Sequence, residues 1–414
     1  MICRNASGIV SSSLDVYLDL KGGSQRVGQA WFTQRRGGPV STVFAYATNY
    51  LGGPSPTAID PALLLVSGNQ YVDGLPGAFQ DCAPDRWGRN LIDKRHRLQS
   101  RGDLQRTLND VDYLIRVSDR TRQGALRFAE AGTDIFVDPG NDIPKLVELP
   151  RLLNAADSIE ESGDDLAAVK ALVEVGSGSL GGARPKASVL DDNGQLGIAK
   201  FPHREDEWDV TGWECVALDV AEASGIQTPS RELITVSTTR RALLLRRFDR
   251  IGASRIPYIS AMTALSSSDG QWNDYIDLAE TLTDIGANVG HDLSELYRRV
   301  TLSVALHNTD DHMRNHGFLL AKGGWVLAPV FDINPNPDVL AHRVTGIAGA
   351  TTQNEELDGL AELAQACRLG EGEAATMNNE IADVVDQLPT FASRRGLDAG
   401  EIELFASSTL DVRT

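Results

Sequence analysis

A chain of 414 residues has room for two or three domains of the usual ~100–200 residues. Its 42% hydrophobic and 23% charged residues belong to a packed protein rather than a disordered one. The 39 basic and 57 acidic residues give a formal charge of −18, which repels nucleic-acid phosphates at long range and favours a basic protein partner.

Residues 1–20, broken by Arg4, Asn5 and Asp15, hold no apolar stretch of the kind a secretory leader needs. No later run approaches the roughly 18–20 apolar residues of a spanning helix, so no membrane segment is expected. The cysteines Cys3, Cys82, Cys215 and Cys367 form no CxxC pair and suit buried thiols in a reducing cytosol. Leu14–Leu18, Ala30–Phe32 and Val43–Tyr46 are predicted strands, and Gly52–Pro56 a loop. The segment Leu75–Arg89 leads into a helical region in which Leu104, Leu108, Val111 and Ile115 keep one apolar stripe. Residues 134–150, with three prolines, read as a connector. Leu152–Val173 reads as helix broken at Gly163, followed by a β-rich stretch to about Asp249 and a mostly helical remainder with one β interruption between Gly317 and Asp332.

Three stretches carry chemistry. Gly176-Ser177-Gly178-Ser179-Leu180-Gly181-Gly182-Ala183-Arg184-Pro185-Lys186 can expose backbone N–H groups to phosphate oxygens, or be a plain surface loop. A predicted hairpin follows, Ala187–Leu190 and Gln195–Lys200 around Asn193-Gly194, with Lys200 at the end of the returning strand. Glu214, on a predicted helix over Trp213–Ala221, is placed to pair with Lys200 or simply to solvate that helix. The Ala242–Leu245 strand runs into Arg246-Arg247-Phe248-Asp249-Arg250, where a linker between two lobes and an adenine contact are expected.

The densest feature is His307-Asn308-Thr309-Asp310-Asp311-His312-Met313-Arg314-Asn315-His316, followed by a hairpin and Phe331-Asp332. Phosphoryl transfer in kinases uses a loop Asp on the nucleophilic hydroxyl, an Asn five residues on for a metal, and a second Asp after a short hairpin. Asp310, Asn315 and Asp332 fill those places, and hard oxygen donors suit Mg²⁺. The competing arrangement is a transition-metal hydrolase site of His307, His312 and His316 with Asp310 or Asp311.

From about residue 14 to about residue 345 the chain resembles the HipA-type serine/threonine kinases, the toxin half of bacterial toxin–antitoxin pairs. The motifs that carry this are Gly77–Arg89, Ser179–Lys186, Ile198–Pro202, Arg246–Arg250, Asn308–His316 and Leu327–Asp332. The resemblance implies an α+β, protein-kinase-like bilobal fold with an N-terminal β-rich subdomain (1–105), an N-lobe with the Gly-rich loop and Lys strand (106–250) and a helical C-lobe (251–414). It implies an ATP- and Mg²⁺-dependent enzyme with Asp310 as base, Asn315 and Asp332 as metal ligands, and Ser179 autophosphorylated. Its implied nucleotide contacts are Gly181, Gly182, Ala183, Arg184, Lys186, Lys200, Arg246, Phe248, His312 and Phe331. Partners follow by the same likeness: a separate small helix-turn-helix antitoxin, DNA reached only through it, and a cytoplasmic translation-related substrate, an aminoacyl-tRNA synthetase being one suggested by relatives. Arg184 and Pro185 stand where the best-studied members carry glutamine and glutamate, and Arg246 where others carry glutamate. A non-catalytic nucleotide- or antitoxin-binding co-repressor is the alternative from another class, and the metal-dependent hydrolase a third.

Overall fold

Alternation in Val40–Tyr46 turns Val40, Thr42, Phe44 and Tyr46 to one buried face, as the period of two of a strand requires. This strand belongs to an antiparallel sheet in the order Leu126–Glu130, Val10–Leu20, Gly23–Gln34, Val40–Tyr46 and Gln70–Asp73. Leu14 lies opposite Ala30, and Ala30 opposite Phe44, so the apolar residues share one side. A side chain at Gly28 would meet the Ala45 carbonyl at 2.5 Å, so only glycine lets these strands close up there. The computed structural model describes residues 3–4, 10–20, 23–35, 38–99, 107–138, 143–162, 165–174, 184–237 and 240–413. Packing gathers the chain into two units, Met1–His203 with Asp249–Ile259, and Arg204–Phe248 with Ser260–Thr414.

In the first unit, Phe44, Phe79 and Phe128 meet edge to face, with centroids 6.2 and 5.0 Å apart. Phe79 comes from the Gly77–Arg89 motif, which therefore plugs the sheet. Asp60 anchors it, taking the Ala78 N–H at 2.8 Å. Arg122 is fully buried; its guanidinium donates to the carbonyls of Cys82, Leu114 and Val117 at 2.9–3.1 Å. Arg122→Met leaves those carbonyls unpaired, and stability should fall by about 3 kcal/mol or more. The readout is the urea midpoint at unchanged slope; a midpoint equal to the parent's would mean the guanidinium is not what satisfies them. Asp249 and Arg250 dock here as well, Asp249 accepting the Gly124 N–H at 2.7 Å and Arg250 donating to the Arg122 carbonyl at 2.6 Å.

The hairpin expected after the Gly-rich loop forms from Lys186–Leu190 and Leu196–Lys200, with Lys186 opposite Lys200. Gly194 takes a φ of +73°, which its missing Cβ allows. Helices form over Leu149–Ser162 and Leu166–Glu174, and the expected break at Gly163 lies outside the described residues. The apolar stripe around residue 110 makes a shorter helix than its spacing predicts, Asp110–Ile115. Asn109 and Asp112 form a reciprocal cap (2.9 and 3.0 Å) that starts the helix after Leu108, and Leu104 lies outside the described residues.

In the second unit the Val210–Ala223 helix is buried over most of its length, with Trp213 stacked on Phe405 at 4.0 Å. Beside it run the paired strands Arg231–Thr235 and Arg241–Arg246. The remaining helices follow as expected, among them Tyr275–Ile285, Val289–Ala305 and Glu356–Ala366. The β interruption is the hairpin Gly317–Ala321 and Gly324–Leu327. The helical expectation fails over residues 328–355, which make neither helix nor ladder strand. Pro329, Pro335 and Pro337 lack the N–H a helix needs, and the backbone groups of this segment bond to a loop described next.

Candidate active site

Leu293, Leu296 and Val300 bury one face of the Val289–Ala305 helix, and this fixes where its C-terminal end delivers the chain. His307 then takes a φ of +51°, in the left-handed region, and the loop 306–316 begins. The loop braces itself: the Asn308 N–H bonds the Ser303 carbonyl at 2.8 Å, His312 N–H the Asp310 carbonyl at 3.0 Å, and Asn315 N–H the His312 carbonyl at 2.8 Å. Its side chains divide in two. His307, Asn308, Thr309, Asp311, Met313, Asn315 and His316 are buried; Asp310 is exposed and His312 half-buried.

Asp311 points inward to a full set of partners. One carboxylate oxygen accepts from Tyr275 Oη at 2.6 Å and Ser303 Oγ at 3.0 Å; the other lies 3.0 Å from His316 Nε2. Burial alone would raise its pKa, but the His316 ring, the hydroxyl of Tyr275 and the charge of Arg343 hold it well below the usual carboxylate range. Arg343, itself buried, donates to the Asn308 carbonyl and Ser303 Oγ at 3.0 Å each and pairs with buried Glu356 at 2.8 Å. The loop is thus nailed to the helix core from within.

Asp310 is governed by other neighbours. Desolvation pushes its carboxyl up and the Asp332 and Asp311 charges push it further, against a lowering by His312. Asp332 is therefore close enough for the two carboxylates to repel. It is held there at a φ of +62°, a cost of about 1–3 kcal/mol in a non-glycine residue. Asn334 secures it, donating its side chain to Asp332 Oδ1 at 3.3 Å and its N–H to Asn308 Oδ1 at 3.3 Å. The strand before it ends at Leu327, so Asp332 stands in the irregular segment rather than at the strand's end. Asn315 donates Nδ2 to the Asp310 carbonyl at 3.2 Å, which leaves Oδ1 as its acceptor end. Asp310 and Asp332 thus stand within electrostatic reach of each other, with Asn315 tied to the Asp310 backbone.

Phe248 follows the Arg241–Arg246 strand, and its ring centroid lies 5.6 Å from that of Phe331, tilted by 35°, so two of the expected nucleotide contacts meet. Arg246 is exposed at the end of the same strand. The histidines do not converge as a metal triad. His307 Nε2 bonds the Asp338 carbonyl at 2.9 Å and His316 is engaged by Asp311. Among the described residues no three His, Cys, Asp or Glu side chains are grouped to hold a metal. In the first unit, Lys200 closes its strand, Arg184 is exposed, and Lys186 is buried with its ammonium 2.8 Å from half-buried Asp85. Ser177, Ser179, Gly181, Gly182 and Ala183 lie outside the described residues. Tyr275, Ser303, Arg343 and Glu356 are not found by sequence reasoning, since each is one ordinary residue in an ordinary helix or coil. Only the density of ionisable groups in 307–316 hints that buried partners are needed.

The class these features define is an α+β protein with a β-rich N-terminal region, a helical C-terminal region and an acidic loop at the end of a buried helix. Models of the HipA N-terminal domain and the HipA-like C-terminal domain match residues 14–128 and 178–390. The chain belongs to the HipA family. It is similar in structure to HipA of Shewanella oneidensis MR-1, solved with HipB and its operator DNA, at a TM-score of 0.64 and 16% identity over 95% of this chain and 94% of that one. A weaker likeness is to the Helicobacter pylori proinflammatory kinase CtkA (TM-score 0.36, 16% identity, 55% of this chain, 92% of that one). No curated protein sequence matches the chain.

Proposed function

We propose that this protein is an ATP- and Mg²⁺-dependent protein serine/threonine kinase and the toxin of a toxin–antitoxin pair. The observation that carries the reading is a braced loop that holds exposed Asp310, with Asn315 bonded to its backbone, within electrostatic reach of Asp332. Family membership and the fold shared with a HipA support it. In this reading Asp310 accepts the proton of a serine or threonine hydroxyl as its oxygen bonds the γ-phosphorus and the bond to the bridging oxygen of ADP breaks. Asn315 and Asp332 would hold the magnesium, whose charge would neutralise the phosphates. Phe248 and Phe331 face the adenine with Arg246 at the edge, and His312, Lys200 and Arg184 serve the phosphates along with the backbone of Gly181, Gly182 and Ala183. Lys186, engaged by Asp85, anchors the loop's end and contributes its charge from there. Ser179 is the proposed autophosphorylation site.

The division into 1–105, 106–250 and 251–414 belongs to the same proposal. So does a small HipB-like antitoxin as partner, supported by the HipA–HipB–DNA complex of the similar protein, with DNA contacted through the antitoxin. A translation-related substrate such as an aminoacyl-tRNA synthetase, and a cytoplasmic site of action, complete it. Among the described residues no helix is long and apolar enough to cross a membrane. Intact-mass analysis after incubation with ATP and magnesium tests the reading. Added phosphate on Ser179, absent when EDTA is present, is expected; an unchanged mass with no label transferred to any protein of a bacterial lysate rejects the kinase in favour of a co-repressor.

A further inference from the structure

The segment after Asp332 does something the phosphoryl-transfer chemistry leaves unused. Asn336 donates its N–H to the His307 carbonyl at 3.1 Å and its side chain to Thr309 Oγ1 at 2.9 Å; Asp338 supplies the carbonyl bonded by His307; Val344 N–H bonds the Thr309 carbonyl at 2.9 Å. Residues 336–344 are therefore fastened to the residues just before Asp310. The turn is also stiff within itself. Asp338 N–H bonds Asn336 Oδ1 at 3.0 Å, Leu340 N–H bonds Asp338 Oδ1 at 3.1 Å, and Ala341 N–H bonds the Asp338 carbonyl at 3.0 Å. Pro335 and Pro337 restrict its backbone further. On this rigid support Val339, Leu340 and Val344 are 43%, 83% and 51% exposed. Single exposed apolar residues are ordinary, but here three fall within six positions on a braced turn bonded to the loop of the proposed base.

We propose that this turn is a docking lip for the protein substrate, and that it selects an apolar residue next to the phosphoacceptor serine or threonine. The inference rests on the kinase reading and adds the substrate's local chemistry to it. The occupant follows from position. A hydroxyl brought to Asp310 carries its flanking residues past a turn tied to Thr309, and burying an apolar side chain against Leu340 is favourable there. Because the turn is already ordered, little of that gain is lost to ordering it. The chain's charge of −18 disfavours acidic flanking residues at the same time.

The test is a serine-centred peptide library, randomised one flanking position at a time, with labelled ATP and magnesium, for the parent, Leu340→Ala and Leu340→Asp. The parent should favour Leu, Ile, Val or Phe at one flanking position and disfavour Asp and Glu. Leu340→Ala should lower kcat/KM for the preferred peptide by about tenfold, and Leu340→Asp should shift the preference toward Lys or Arg, both at unchanged KM for ATP. The side chain is exposed, so melting temperatures near the parent's are expected and confirm folded variants. Uniform use of all peptides, a preference untouched by either variant, or ATP turnover with no peptide labelled overturns the lip. A concentration-dependent dimer that Leu340→Asp dissolves would reassign the patch to self-association and overturn it too. Failure of the parent to turn over ATP or transfer phosphate at all strikes the kinase reading first and the lip with it.

Discussion

Replacing Asp332 or Asp310 by alanine is expected to cut phosphoryl transfer by about 10³-fold or more, the scale on which a base or a charge-neutralising site contributes. The two losses should differ in kind. Asp310→Ala removes the acceptor of the hydroxyl proton, so kcat falls while nucleotide binding persists. Asp332→Ala removes one of two proposed metal ligands, so the magnesium needed for half-maximal ATP binding rises as well. Both proteins should fold. Asp310 is exposed, and Asp332 occupies a left-handed backbone position (φ +62°) that Asp332→Gly would relieve, giving a protein at least as stable as the parent but inactive. Isothermal titration with ATP at several magnesium concentrations, beside label-transfer assays, separates these outcomes. Parent-like transfer by either alanine variant removes that residue from the mechanism.

The second large effect concerns stability, and neighbouring residues should move it in opposite directions. Asp311→Asn should destabilise the metal-free protein by about 3 kcal/mol or more at neutral pH, because it breaks a buried network and removes the carboxylate that Tyr275, Ser303 and His316 all face. Asp310→Asn should raise the melting temperature slightly, because it removes a carboxylate that desolvation and the Asp332 charge disfavour. The signs follow from the direction of each shift. Asp311 has a folded-state pKa below its unfolded value of about 3.9, so its contribution is complete above that value and is lost as pH falls through the lower folded one. Asp310 has a folded pKa above about 3.9, so its penalty is absent below that value, grows as pH rises through the folded pKa, and is then constant. Melts of both variants in EDTA across pH 3–8 therefore should diverge from the parent in opposite senses and approach it toward acid. A stabilised Asp311→Asn, or an Asp310→Asn that melts lower at neutral pH, contradicts the assignment of inward and outward roles.

How much of this is legible in the residues depends on how local the cause is. The hairpin around Asn193-Gly194 and the strands at 14–18 and 43–46 follow from turn chemistry and period, which act over a few residues. The Asp110–Ile115 helix is shorter than its stripe because a cap ended what periodicity would have continued. The irregular run 328–355 defeats a helical reading because its backbone bonds go to the 306–316 loop, a partner no local window contains. At the site, Asp310, Asn315 and Asp332 stand out by type and spacing. Their supports do not: Tyr275 reaches Asp311 from 36 positions away, and Arg343 reaches the Asn308 carbonyl from 35.

What the amino-acid order by itself determined here is composition, period and motif: an acidic α+β chain, its HipA membership, and the oxygen-bearing side chains at 310, 315 and 332. Which of two adjacent aspartates turns inward to be neutralised and which stays outward under repulsion was decided only by the folded chain. The exposed turn that carries Leu340 is fixed in the same way. The physical reason is that burial and charge are set by neighbours, and these neighbours are brought together by packing of a helix end against coil that follows it by a whole hairpin.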